Sequence, residues 1–266
     1  MTTAGYILGN DWQLARQRLD LLERVFDPES QAQLNALGVQ ADWRCLDVGA
    51  GGGSIAAWLC NRIGPAGKVV ATDIDTRLLA ALDCPRFEIQ FHDIVADGFA
   101  TADFDLVHTR AVLCHLAERT RALDHIVDAV RPGGWVLIEE PDYITEAIVT
   151  GGDSVAAVTF VKVNDAKERF VASHGFDRFY GRRVLSELRA RGFTDVATEG
   201  RVSVTPGGGA AAQFHQLSIQ QMRERIVAGG RVSGQEVDDY CVVLMDPSLV
   251  FVWPTMLATR GRKPPR

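Results

Sequence analysis

The stretch RCLDVGAGGGSIAAWLCNRIG, residues 44–64, sets how this chain folds. With Trp43 in front, WRCLDV is a short apolar run that ends on a cluster of glycines. Beyond the cluster, Ile55, Trp58, Leu59 and Ile63 fall on one helical face, and Gly64 is a stop signal. The expected unit is strand, tight loop, helix. Gly49, Gly51 and Gly53 allow positive φ and let a ligand approach the backbone closely. A helix starting near Ser54 aims its free N–H groups and positive dipole end back at that loop. The spacing narrows the ligand. Gly49 and Gly51 suit the dinucleotide pattern G-x-G-x-x-G, but its third place is Ser54. No Walker lysine follows, so P-loop chemistry is not expected.

Outward from this unit, strand and helix patterns alternate. KVVAT (68–72) is β-branched and reads as a buried strand, and TRLLAAL after it as a short helix. FEIQF (87–91) and FDLVHT (104–109) are further strands. Leu123, Ile126, Val127 and Val130 keep helical spacing until Pro132-Gly133-Gly134 breaks the chain before WVLIEE (135–140). Five strands interleaved with helices predict an α/β fold, a doubly wound Rossmann-like parallel sheet with right-handed crossovers. Ligands of such sheets bind outside the carboxyl ends of the strands, where the strand order switches.

The strand ends carry acids. The second strand closes on Thr72-Asp73-Ile74-Asp75, and Asp73 is placed to accept both ribose hydroxyls of a nucleoside, while Asp75 reads as a helix cap. The third runs into His92-Asp93-Ile94, where an acid can accept from an adenine amino group and Ile94 can pack on the ring.

Composition removes other classes. Of 266 residues, 47% are hydrophobic and 23% charged, as in a protein with a real core. A net charge of −6 argues against nucleic-acid binding, and no apolar run suits a membrane span. The N-terminus lacks the basic and apolar regions of a signal peptide, so a cytoplasmic location is expected. The cysteines (45, 60, 84, 114 and 241) are scattered without CxxC and read as buried thiols. No residue cluster has metal-ligand spacing, and no metal is expected.

CLDVGAGGGS, VVATDID, FHDI, FDLVHTRAVLCHL and RPGGWVLIEEPD together resemble the class I S-adenosylmethionine-dependent methyltransferases, over about residues 40–145. The ending LVFVWPTMLATRGR resembles that family's last strand. The resemblance implies a seven-stranded sheet with the last strand antiparallel and S-adenosylmethionine as cofactor. It places the methionine part on Asp47 to Gly53, including Gly49, Ala50 and Gly51. The ribose falls to Asp73 beside Ile74, and the adenine to Asp93 and Ile94 beside His92. Thr109, Arg110 and His115, past strand four, would line the methionine end and the reaction centre. A bacterial small-molecule, natural-product subgroup begins with Y-x-L-G and a helix containing R-L, matched by Tyr6-Ile7-Leu8-Gly9 and Arg18-Leu19. In that subgroup the N-terminal helix closes over the cofactor, with Arg18 at its carboxylate and Tyr6 over the sulfonium. The helix is also legible directly, since Trp12, Ala15, Leu19, Leu22 and Phe26 recur at spacings of 3 and 4.

The implied organisation is an N-terminal helical lid, 1–38, on a methyltransferase domain, 39–266, with helical insertions at 147–175 and 206–248 that cap the substrate. The expected reaction is transfer of a methyl group to a small, partly aromatic organic acceptor at O, N or C. In-line displacement from a sulfonium needs chiefly alignment, and a base only where the acceptor loses a proton. The candidate catalytic residues are His115, Tyr6, Tyr143 and His215. Glu140 and Asp142 are expected on the acceptor side. As bases, His92, His108 and His125 are discounted and read as structural, and His174 as a helix-end cation. Phe160, Phe170, Phe176, Tyr180, Phe214, Met222 and Tyr240 are expected to wall the acceptor pocket. Pro206-Gly207-Gly208-Gly209 reads as a hinge or linker, and the tail RGRKPPR as frayed. The expected partner is a small-molecule acceptor, with neither nucleic acid nor membrane, and a homodimer is left open. Two other readings share the topology: a non-catalytic S-adenosylmethionine-binding regulator, and an NAD-dependent oxidoreductase, for which no Tyr-x-x-x-Lys is present.

Overall fold

A computed structural model describes residues 7–82, 84, 86–150 and 154–265. Helix α1 (Ala15–Leu37) precedes β1 (Arg44–Val48), α2 (Ser54–Arg62), β2 (Lys68–Asp73) and β3 (Phe87–Phe91). Then come β4 (Phe104–Arg110), α3 (Arg119–Ala129) and the long β5 (Val130–Asp142). The C-terminal half holds β6 (Ala147–Thr150), α4 (Ser154–Ser173), α5 (Gly181–Ala190), β7 (Thr194–Arg201) and β8 (Val204–Pro206). It closes with α6 (Ala210–Ala228), α7 (Gly234–Met245), β9 (Val250–Val252) and β10 (Thr255–Arg262).

Seven strands form one sheet in the order β3-β2-β1-β4-β5-β10-β7. β10 runs antiparallel to both β5 and β7, and the pairings among β1 to β5 are parallel. The doubly wound sheet with an antiparallel last strand is therefore present. Strand order reverses beside β1, so the ends of β1 and β4 open a crevice between them.

Alternation along each strand explains why the middle of each strand is apolar on both faces, with the polar residues gathered toward the strand ends. Cys45, Leu106 and Leu137 face α2 and the C-terminal end of α1, whereas Leu46, Val107, Val136 and Ile138 face α3 and α5. Both faces are covered, so neither strand face has reason to be polar. A second core lies apart from the sheet, where Phe160 and Val163 of α4 pack with Ile219 and Met222 of α6 and Val237 and Tyr240 of α7. β6, β9 and β8 add a small three-stranded sheet over it.

Several expectations change. TRLLAAL forms only a single 3-10 turn, Leu79–Ala81. Seven residues are too short to hold a helix against the cost of nucleation. The final strand is two strands, interrupted at Trp253-Pro254. Pro206–Gly209 is a packed turn and not a linker. Gly207 N–H donates to Leu249 O at 2.8 Å and Gly208 N–H to Leu244 O at 3.0 Å. A Cβ on Gly207 would lie 1.9 Å from Asp246 O, so glycine serves close backbone approach there. The tail is docked through residue 263: Gly133 N–H donates to Lys263 O, and Lys263 Nζ donates to Val127 O at the end of α3, each at 2.8 Å.

Among the described residues no helix is long and apolar enough to cross a membrane.

Candidate functional site

The crevice is the mouth of a cavity of about 840 Å³. It runs from the loops after β1, β2, β3 and β4 to a chamber between α4 and α6, with α1 along one side.

The glycine loop is pinned to the end of β2. Gly49 and Ala50 N–H both donate to Thr72 O, at 2.8 and 3.0 Å. Gly49 has φ +68°, and a Cβ there would come 2.3 Å from Val112 Cγ2, so the loop and the turn after β4 touch. Asp73 supports the same loop. One carboxylate oxygen accepts Gly51 N–H and the other Asp75 N–H, each at 2.9 Å. Burial raises the Asp73 pKa, and these backbone N–H donors oppose that rise. Ile74 continues the lining beyond it. At the β3 end, Asp93 accepts Val95 N–H at 3.0 Å, and His92 stacks on Phe99 with 4.4 Å between centroids. Ile94 lines the cavity there, as does Phe91, a large apolar side chain left 72% exposed.

Beneath the loop is a buried charged triad. His108 Nδ1 lies 2.7 Å from Asp47 and Nε2 lies 2.9 Å from Glu139, both carboxylate contacts. Burial alone would hold the imidazole neutral, but two facing carboxylates outweigh it and push its pKa up to about 9. Two residues on along β4, Arg110 donates to Ser30 Oγ and pairs with Asp27, each at 2.9 Å, tying α1 to the sheet. Arg18, also buried, donates to Leu8 O at 3.3 Å and lines the cavity.

The chain then turns sharply. Ala111 has φ +53°, a strained conformation for a residue with a Cβ. Its N–H is held by Glu139 O at 2.8 Å. Glu140 accepts the N–H groups of Val112, Leu113 and Cys114 at 3.2, 2.8 and 3.0 Å, building the 3-10 turn Leu113–His115. Burial pushes its pKa up to about 7. The turn delivers His115 into the cavity against Phe176, 4.9 Å between centroids. Burial, and secondarily Arg18, lower the His115 pKa to about 4, so the ring is neutral near pH 7.

Farther in, Tyr143 meets Phe176 edge-on at 5.6 Å, and Lys167 Nζ stands 5.3 Å from the Tyr143 ring centroid. Lys167 Nζ lies 3.3 Å from Glu146 Oε2 and 3.5 Å from His215 Nε2. His215 packs on Trp253 at 5.2 Å, and Trp253 on Phe214 at 5.8 Å.

The fold brings most of the expected site residues together. Arg18, Asp47, Gly49, Ala50, Gly51, Asp73, Ile74, His92, Asp93, Ile94, Arg110, His115, Tyr143 and His215 share the one cavity. Tyr6 lies outside the described residues. Thr109 is a correction: it is fully buried on the opposite face of β4, because strand alternation puts His108 and Arg110 on the cavity side. Glu140 and Asp142 do not face the acceptor side either. Glu140 is spent on backbone, and Asp142 binds Arg182 at 2.8 and 3.1 Å. Of the expected wall residues, Phe176, Phe214 and Met222 line the cavity. Tyr180 and Tyr240 are fully buried in the cores.

The sequence does not reveal His108 as a cavity residue, nor Lys167 and Trp253. Lys167 does leave a signal, a lysine in the apolar helical row Val163, Ala166, Lys167, Phe170.

The methyltransferase domain family matches residues 11–198. The chain is 30% identical over 141 residues to methyltransferase str2 of Strobilurus tenacellus, covering 52% of this chain and 50% of that protein. It thus spans about half the length of that relative. In fold it is similar to a methyltransferase structure from Bacillus halodurans, with TM-score 0.57 and 15% identity over 88% of this chain and 98% of that one. It is also similar to phosphoethanolamine N-methyltransferase 2 of Haemonchus contortus, solved with phosphomonomethylethanolamine and S-adenosylhomocysteine. There the TM-score is 0.52 and the identity 18%, over 98% of this chain and 56% of that one. The chain belongs to the methyltransferase domain family, with the class I, S-adenosylmethionine-dependent architecture that its strand-end motifs resemble.

Proposed function

We propose that this protein transfers a methyl group from S-adenosylmethionine to a small, partly aromatic organic acceptor at O, N or C by in-line displacement. The observation that carries this reading is the continuity of the cavity, about 840 Å³, from the glycine loop to the aromatic chamber at Tyr143 and Phe176. That volume lies toward the upper end of the ~300–1,000 Å³ usual for small-molecule sites, and suits two ligands meeting end to end.

The residues present fit the cofactor. A Cβ-free backbone approach at Gly49 and Gly51, a carboxylate at Asp73 and an apolar edge at Ile94 and Phe91 suit, in turn, an amino-acid tail, a ribose and a purine. Arg18 on α1 suits the tail carboxylate. When bound, S-adenosylmethionine supplies an electrophilic methyl group on a good leaving group. The chain has to align and to exclude water. α1, read as a lid, closes one side with Arg18, Leu19, Leu22 and Phe26, and Lys167 and Val171 of α4 with Phe214, His215 and Met222 of α6 line the end read as the acceptor's. In this reading His115, neutral and beside Phe176 at the turn after β4, takes a proton from an acceptor that has to lose one. Tyr143 shapes the same end, and its hydroxyl stays protonated because burial raises its pKa. The cytoplasm and a role in secondary metabolism belong to this reading.

Calorimetric titration tests it. S-adenosylmethionine and S-adenosylhomocysteine are expected to bind and NAD not to. Tight binding of NAD alone would reject the assignment.

A further inference from the structure

We infer that Glu140 is a positioning residue for both ends of the cavity: by capping the turn after β4 it fixes the His115 ring at the end read as the acceptor's and the Val112 side chain on the glycine loop. This rests on the proposed methyl transfer and adds a residue that touches neither ligand and acts through the turn.

The backbone groups of the turn have few partners within it. Leu113–His115 is a single 3-10 turn, and three residues have almost no helical stability of their own. Its own bonds satisfy two donors: His115 N–H donates to Val112 O and Leu116 N–H to Leu113 O, each at 3.1 Å. The three N–H groups ahead of these have no carbonyl within the turn to reach. One carboxylate takes all three. Glu140 Oε1 accepts from Val112 and Leu113 at 3.2 and 2.8 Å, and Oε2 accepts from Cys114 at 3.0 Å. The Cys114 thiol donates to the same carboxylate. Glu140 is fully buried, so the dependence is mutual: the turn needs its oxygens, and its charge needs those donors.

The carbonyl side of the turn is held from elsewhere. Asp177 N–H donates to Cys114 O at 2.8 Å, and Arg119 donates to Leu113 O at 3.4 Å and to Gly175 O. Gly175 and Asp177 flank Phe176, so the ring that meets His115 arrives on the same clamp. The N–H side depends on Glu140.

The turn reaches both ends of the cavity. It begins after Ala111, whose φ of +53° persists only where the surroundings impose it. Val112 follows, and its Cγ2 lies 2.3 Å from where a Cβ on Gly49 would stand, so this side chain rests on the glycine loop. His115, three residues on, enters the cavity against Phe176. Without Glu140 the strain at Ala111 is free to relax, and Val112 and His115 shift together because one turn carries both.

The test compares Glu140→Gln and Glu140→Ala with the wild type, each as the full chain. Gln keeps the shape and one acceptor oxygen but turns an amide donor toward Cys114 N–H, and Ala keeps no acceptor. NMR of labelled histidine, assigned with His115→Ala, follows the first end. Burial and then the Arg18 charge hold wild-type His115 at about 4, and in Glu140→Ala its titration is expected to move up toward the ordinary 6.5. Calorimetry with S-adenosylhomocysteine follows the second end, where affinity should fall at least about fivefold. Glu140→Gln is expected between the two on both readouts. The resonances of His125 on α3 should not move, which separates a local change from unfolding. In a folded variant, an unmoved His115 titration, an unchanged affinity, or one readout moving without the other would overturn the inference. If neither variant folds, amide exchange in the wild type decides. S-adenosylhomocysteine should slow exchange at Leu113 and Cys114 at least about fivefold, and unchanged exchange would overturn the link between the ends. A wild-type chain that binds no S-adenosylhomocysteine rejects the cofactor reading itself, a failure visible before any substitution is made, and this inference falls with it.

Discussion

The two ends of the cavity are built in opposite ways. The end proposed for the cofactor is a set of strand-end loops held largely by backbone hydrogen bonds. Gly49, Ala50 and Gly51 are pinned to Thr72 O and Asp73, and the side-chain cluster of Asp47, His108 and Glu139 lies beneath. The end proposed for the acceptor is made of side chains brought from far apart: His115, Tyr143, Lys167, Phe176, His215 and Trp253. A ligand common to a whole family is met by backbone geometry. A ligand particular to one member is met by side chains, which can change without disturbing the sheet.

The largest expected effect lies at the cofactor end. His108→Leu strands Asp47 and Glu139 as buried like charges and is expected to cost about 3–5 kcal/mol of stability, read by urea unfolding. The same triad gives a pH dependence. His108 is raised from 6.5 to about 9 on folding, so its contribution is complete below pH 6.5 and is lost as pH rises through about 9. That loss is on the order of 3 kcal/mol. A stability curve flat from pH 6.5 to about 9 would show that the triad does not stabilise the fold.

At the acceptor end the effect should appear in turnover. His115→Ala is expected to lower kcat by about 100-fold or more, with S-adenosylhomocysteine affinity changed less than about threefold. Wild-type kcat would exclude His115 as a base, and a large loss of S-adenosylhomocysteine affinity would blur the division between the two ends.

Smaller effects test the backbone argument. Gly49→Ala puts a Cβ at positive φ and 2.3 Å from Val112 Cγ2, and should cost about 2 kcal/mol of stability, read by thermal melting. Asp73→Ala should weaken S-adenosylhomocysteine binding at least about tenfold, read by calorimetry, because it removes acceptors and frees the Gly51 N–H. Unchanged affinity would take Asp73 out of the site.

The difference between the ends also explains what is legible in the sequence. Gly49 to Gly53, Asp73 and Asp93 stand directly after strands, and strand ends are local features that periodicity and glycine spacing reveal. Thr109 departs from expectation because the cavity side of β4 is a matter of alternation phase, and apolar strands buried on both faces do not display their phase. Glu140 resembles an acceptor group because it lies near a strand end, but three backbone N–H groups of the adjoining turn claim it. Pro206–Gly209 reads as flexible because the carbonyls of Leu244 and Leu249 that hold its glycines come from another segment. Lys167 announces itself only as a polar interruption of an apolar row.

Read alone, the amino-acid order specifies the doubly wound sheet, its glycine loop and the acids at its strand ends, because these depend on neighbours within a few residues. Only packing in three dimensions brings Tyr143, Lys167, Phe176, His215 and Trp253 into one chamber. Their meeting depends on how α4, α6 and the Trp253-Pro254 segment lie over the end of β5, and long-range packing leaves no period in the chain.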